Sequence, residues 1–199
     1  MVREVLLIID VQNDFCPGGK LAVGGGNEIV PLINELAHAH AHVMLTQDWH
    51  PEGHSSFASQ HQGHAPFTQI EMPYGSQTLW PDHCIIGSEG ARFHHSLDVP
   101  QAELIIRKGF RKAIDSYSAF FENDHMTPTG LGGYLKERGF SKVICVGLAF
   151  DYCVRYSAED AKALGFDVMV IERATRAIDL GGTAEVTRLS FQERGIILT

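Results

Sequence analysis

The sequence has no basic tract, no apolar run of membrane-spanning length, no complete phosphate loop and no regular ladder of cysteines. Each absence removes a class of function. Lys and Arg number 16 against 24 Asp and Glu, a net charge of −8. Nothing there supplies the positive face that a phosphate backbone requires, so a nucleic-acid partner is not expected. The N-terminal apolar stretch, Val5 to Ile9, runs straight into acidic and amide residues and lacks a cleavage pattern. It is too short for a span and wrong for a signal peptide, so a soluble, cytoplasmic protein without membrane contact is expected. Cys16, Cys84, Cys145 and Cys153 show no tight even spacing, which argues against a disulfide framework. In "PGGKLAVGGG", Lys20 is followed by Leu21 where a phosphate loop needs Ser or Thr, and no G-x-G-x-x-G follows the first apolar run. Nucleotide binding is not expected on those grounds. The "AHAHAHV" tract, with His38, His40 and His42, reads as a surface helix end whose imidazoles meet the negative end of the dipole, not as a metal tract.

What is present is an alternation of short apolar runs and helical patterns. The chain has 199 residues, 44% of them hydrophobic, which suits a single domain over residues 1–199 with a real core. "VLLII", "HVMLTQ", "AELIIRKG", "KVICVGLA", "DVMVIE" and "IILT" read as six strands. "NEIVPLINELAHAH", "GLGGYLKERG", "YCVRYSAEDAKALG" and "TAEVTRLSFQERG" read as helices, with Asn27 as N-cap of the first. Continuous apolar strands separated by helices predict an α/β, doubly wound, mostly parallel six-stranded sheet with helices on both faces. The exception to this rhythm is a long loop at about 49–100, rich in Pro, Gly, Ser and His. A loop that long inside a compact domain is usually functional.

Ligands of open α/β sheets bind outside the carboxyl ends of the strands. The polar residues expected there are Asp10 after the first strand, Asp48 and His50 after the second, Lys108 after the third, and Cys153 at the helix start after the fourth. A helix N-terminus and a nearby ammonium both lower a thiol pKa, and a carboxylate accepts the proton. Cys153, Lys108 and Asp10 therefore suit the roles of nucleophile, electrostatic partner and base. Backbone N–H groups of "GLAFDYC" are close enough in sequence to hold an oxyanion. The competing reading of Cys153 alone is a small buried hydrophobe, the role expected of Cys145, while Cys16 is expected to be structural. Asp48 and His50 leave one face of an extended chain, and His83 arrives from the long loop. Two imidazoles and a carboxylate suit Zn²⁺, Fe²⁺ or Mn²⁺. His54 is a fourth ligand, a surface residue or a neighbour of the ligands, and His61 and His64 read as solvated loop residues.

Five motifs in order, "LLIIDVQNDFCPGGKLAV", "TQDWHPEGHSSFAS", "LWPDHC", "KGFRKAIDSYSAFF" and "GLAFDYCV", resemble the nicotinamidases, a branch of the isochorismatase-like cysteine hydrolases. The resemblance covers nearly the whole chain. It implies Asp10, Lys108 and Cys153 as catalytic triad and Asp48, His50 and His83 as ligands of one divalent ion, zinc or iron first, then manganese. It implies a cis peptide between Leu148 and Ala149 that turns the Ala149 N–H toward the oxyanion beside that of Cys153. It further implies Phe15, Trp80 and Tyr117 as aromatic walls, nicotinamide as small-molecule substrate, pyrazinamide as an analogue, a place in NAD salvage and a homo-oligomer. Phe150 stands where relatives often have Thr, with an effect on the pocket or on a subunit contact left open. The alternatives are a relative acting on a carbamoyl or ureido substrate and, in another class, a non-catalytic metal-binding protein.

Overall fold

A computed structural model describes residues 2–199. In chain order the elements are β1 (Glu4–Ile9), α1 (Val30–Ala39), β2 (Val43–Asp48), β3 (Gln69–Met72), β4 (Gly75–Thr78), β5 (Leu104–Lys108), α2 (Leu131–Glu137), β6 (Lys142–Leu148), α3 (Arg155–Ala163), β7 (Asp167–Arg176), α4 (Thr183–Arg194) and β8 (Ile197–Leu198). Six strands form one sheet in the order β5-β2-β1-β6-β7-β8, and every neighbouring pair is parallel. The chain winds outward from β1 in one direction and then, from β6, in the other. The switch point lies between β1 and β6, where such sheets open a crevice beyond the strand ends.

The alternation along β1 explains why both sheet faces need cover. Leu6 and Ile8 enter one core cluster, Val5, Leu7 and Ile9 the other. The second cluster is roofed by α2, α3 and α4, through Leu131 and Leu135, Ala158 and Ala161, and Ala184 and Phe191. The first has only α1, through Val30, Ile33 and Ala37, and is completed by loop residues Phe15, Leu21, Val23, Trp80 and Ala91. So the long loop is core as well as surface, and its Phe57 and Trp80 are fixed by packing.

Three details differ from the sequence expectation. Asn27 is not an N-cap: it lies inside a 3₁₀ turn, Gly26–Ile29, that feeds α1 directly, with Pro31 in the first turn. The long loop holds an antiparallel hairpin, β3–β4, whose polar "QIEM" and "GSQT" strands carry no apolar run to reveal them. β7 continues past Glu172 to Arg176, with a shift in register between Cys145 and Gly147 on β6. At Gly147 φ is 113, and a Cβ would run into the Ile9 backbone, so only glycine lets β6 close on β1 just before Asp10. No helix among the described residues is long and apolar enough to cross a membrane.

Candidate active site and metal centre

The carboxyl ends of β1, β2, β5 and β6 converge. Asp10 follows β1 in a left-handed backbone conformation, φ 48, uncommon outside glycine. Its N–H donates to Thr46 Oγ1 at 3.2 Å, and its Oδ1 accepts from the same hydroxyl at 2.6 Å. β2, paired to β1, thus fixes the carboxylate. Lys108 ends β5 and is only 1% exposed. Its ammonium lies 2.7 Å from Asp10 Oδ2, 2.6 Å from Asp48 Oδ1, 3.0 Å from the Ser116 carbonyl and 3.5 Å from Cys153 Sγ. The Lys108 ammonium is thus the charged neighbour of Asp10 Oδ2. One atom each of Asp10, Asp48 and Cys153 lie within 4.8 Å of one another.

Cys153 stands in the first turn of the helix that leaves β6. The turn is wide: the Ala149 carbonyl accepts from the Tyr152 and Val154 N–H groups, at 3.1 Å each, and skips that of Cys153. The Leu148–Ala149 peptide is cis. Burial pushes the Cys153 thiol well above the usual cysteine range, and the Lys108 ammonium offsets this only in part. This corrects the expectation that dipole and ammonium would lower it: the site is drier than the sequence reading assumed, and desolvation wins. Burial also raises the Asp10 carboxyl, against the pull of Lys108. Lys108 stays ammonium: burial would lower it, but Asp10 and Asp48 hold it well above its ordinary value. Asp48 goes the other way from Asp10, chiefly because the Lys108 ammonium works against its burial. The result is a neutral thiol beside a carboxyl poised to take its proton.

Beside this cluster sit Asp48, His50 and His83, all buried. His50 Nδ1 donates to the Gly109 carbonyl at 2.9 Å and His83 Nδ1 to the Pro81 carbonyl at 2.8 Å. With those protons so placed, each Nε2 presents a lone pair, and both face Asp48 Oδ2, at 3.4 and 3.5 Å. Three lone pairs aimed at one point repel unless a cation lies among them. A tetrahedral ion about 2.1 Å from each ligand would separate them by roughly 3.4 Å. The donor set therefore fits a divalent metal, with the backbone carbonyls orienting the imidazoles. Gly109 is obligatory here: φ is 67, and a Cβ would collide with the His50 ring. His54 is not aimed at this point. Its Nδ1 meets Ser56 Oγ at 2.8 Å, and its Nε2 lies 2.9 and 3.1 Å from the Arg111 and Ile114 carbonyls. Both nitrogens are satisfied, and burial keeps the ring neutral by lowering its pKa. His54 ties the loop after β5 to the loop after β2.

The crevice is lined by Phe15, Leu21, Asp48, Trp80, His83, Asp115, Tyr117, Ala149, Tyr152, Cys153 and Ile178. Phe15, Trp80 and Tyr117 thus meet in one pocket, as the motifs implied. Trp80 Nε1 donates to Tyr117 Oη at 3.3 Å, and Gln77 Nε2 donates to the same oxygen and to Asp115 Oδ2. Trp80 also packs edge-on against Tyr152, ring centroids 4.8 Å apart. Leu21, Asp115, Tyr152 and Ile178 were missed from sequence. Asp115 and Tyr152 lie inside recognised motifs and could have been found there, whereas Ile178 follows a strand whose true end was not legible. Phe150 points away from the pocket, onto Phe191 of α4, so it shapes the opposite core.

The isochorismatase domain model matches residues 4–198. The chain belongs to the isochorismatase family. Among relatives, a nicotinamidase of Acinetobacter baylyi is 53% identical over 180 residues, 90% of this chain and 84% of that protein. Among solved structures, the nicotinamidase and pyrazinamidase of Acinetobacter baumanii superposes with a TM-score of 0.98 at 52% identity, covering 100% of this chain and 96% of that one. The Pyrococcus horikoshii pyrazinamidase, solved in complex with zinc, gives 0.81 at 32% identity over 99% and 98%. Family membership accounts for the wholly parallel sheet and for the crevice at its switch point.

Proposed function

We propose that this isochorismatase-family chain hydrolyses nicotinamide to nicotinate and ammonia, and pyrazinamide likewise, through a thioester on Cys153. The observation that carries the reading is the convergence of Asp10, Lys108 and Cys153 beside an aromatic crevice that adjoins the candidate metal site of Asp48, His50 and His83. Relatives named as nicotinamidases support the substrate. The pocket is lined largely by aromatic and aliphatic side chains, suited to a heteroaromatic ring, with a carboxamide brought to the thiol.

The chemistry follows from the proton inventory. Asp10 takes the Cys153 proton as sulfur attacks the amide carbon, so charge passes from carboxylate to tetrahedral oxygen. The N–H of Cys153, skipped by the Ala149 carbonyl, and that of Ala149 are the donors for this oxyanion. Asp10 then hands the proton to the departing nitrogen, which leaves as ammonia. Asp10 next accepts a proton from water as its oxygen attacks the thioester, and returns it to the sulfur that leaves. Lys108 stays charged throughout and prevents Asp10 and Asp48 from facing each other unbalanced. A divalent ion held by Asp48, His50 and His83, zinc or iron with manganese next, would supply a Lewis acid for the lone pair of the ring nitrogen.

The test is an ammonia-release panel: nicotinamide, pyrazinamide, and carbamoyl and ureido amides, each with wild type and Cys153→Ala. Turnover of the two heteroaromatic amides, abolished in the variant, is expected. Preference for the ureido compounds would place the chain with another branch of the family, and no turnover of any amide would leave a metal-binding protein.

A further inference from the structure

Asp151 lies two residues before Cys153 and is 1% exposed, yet the mechanism above does not use it. No cation pairs with it among the described residues. Its Oδ1 accepts the Ile178 N–H at 3.0 Å, and its Oδ2 accepts the Asp179 N–H at 2.7 Å and the Thr183 hydroxyl at 2.6 Å. Two of the donors lie in the link from β7 to α4 and the third is the first residue of α4. Asp179 has φ 57, and its own carboxylate caps α4 by accepting the Ala184 N–H at 3.2 Å. A buried carboxylate without a cation is costly, and three converging donors are what offset that cost. The segment so held carries Ile178, which lines the crevice together with Tyr152 and Ala149.

We infer that Asp151 is a positioning residue that clamps the Ile178 wall onto the crevice and so sets which rings the site admits. The inference rests on the proposed amidase reading. One turn of chain then serves both ends of recognition: Cys153 meets the carboxamide, Tyr152 lines the crevice, and Asp151 holds the segment that brings Ile178 to it. Free space in the crevice is only about 20 Å³, roughly one water. In a space this narrow the placement of Ile178 governs fit more than it governs bond-making. Gly181 and Gly182, at φ 63 and 91, let the segment turn back tightly into α4. Past the pairing of Arg176 with Leu148, the Ile178 and Asp179 N–H groups both reach the site through one carboxylate.

The experiment compares wild type, Asp151→Asn, Ile178→Ala and Thr183→Val on nicotinamide and on ring-methylated nicotinamides. Asparagine keeps the shape but loses one acceptor oxygen. Asp151→Asn should raise KM for nicotinamide on the order of tenfold, the scale of one charged hydrogen bond, with kcat changed less than about threefold. The ratio of kcat/KM for methylated over parent substrate should rise, and Ile178→Ala should raise it too. An unchanged ratio, or a fall in kcat alone, overturns the inference. If Asp151→Asn does not fold, Thr183→Val decides: a smaller shift of KM and ratio in the same direction supports the clamp, no shift refutes it. Amide exchange at Ile178 and Asp179 should quicken in the folded variant while β6 stays protected, and unchanged exchange refutes the clamp by itself. That readout needs no turnover, so a wild type inactive on nicotinamide sinks the amidase reading while exchange still judges the clamp.

Discussion

Replacing Lys108 by Met should be the most destabilising single substitution in the site. The ammonium is fully buried, 2.7 Å from one carboxylate and 2.6 Å from another. Met keeps the length and apolar body of the side chain and removes only the charge and its donors. Two carboxylates are then left buried without their shared cation. Breaking a buried ion pair from one side costs about 3–5 kcal/mol. In a chain of this size each kcal/mol moves the thermal midpoint by about 2–4 °C, so a fall of about 6–20 °C is expected. Chelator must be present, so that no metal charge at Asp48 stands in for the lysine. The pH dependence has a fixed sign. A carboxyl raised by burial binds its proton more tightly folded than unfolded, so stability falls as pH rises from the unfolded pKa through the folded one. The deficit of Lys108→Met should therefore shrink toward acid pH. Adding Asp10→Asn should recover part of the loss, because one of the stranded charges is gone. Urea melts at several pH values read all of this. A variant within about 1 kcal/mol of wild type at neutral pH, or a deficit that deepens in acid, would refute the reasoning.

Other outcomes follow from the same geometry. Cys153→Ala should fold normally and lose roughly four orders of magnitude or more in ammonia release, measured by coupled assay. Dialysis against chelator should weaken nicotinamide binding by calorimetry while leaving the circular dichroism unchanged, and elemental analysis should return about one ion per chain on reconstitution. His54→Ala should keep that stoichiometry yet lower stability by about 1–3 kcal/mol, because it strands the Arg111 and Ile114 carbonyls; His83→Ala should lose metal. Gly109→Ala should weaken metal binding and cost about 1–2 kcal/mol, as it pushes the His50 ring and strains a left-handed position.

The sheet was legible because β1, β2 and β6 are buried on both faces and carry uninterrupted apolar runs. β5 is an edge strand with exposed Ile105, and it was still found from its own apolar core. The β3–β4 hairpin was not, since strands with polar sequence on a loop bear no period that rises above their surroundings. Asp10, Asp48, His50, Lys108 and Cys153 could be singled out because parallel strands deliver their ends to one edge, a rule that needs no coordinates. The thiol's protonation was misjudged for the opposite reason: desolvation depends on how many distant segments close over Cys153, including Tyr117 and Ile178. Asp151 was invisible as a clamp because its donors lie 27 to 32 positions away in the chain.

The claim on which the mechanism stands is that sulfur, not water, attacks first. Wild-type protein mixed with nicotinamide and quenched in acid within a turnover should show, in its intact mass spectrum, a fraction heavier by one nicotinoyl group. Peptide mapping should place that group on Cys153. A spectrum without adduct, with Cys153→Ala still releasing ammonia at the wild-type rate, would contradict it.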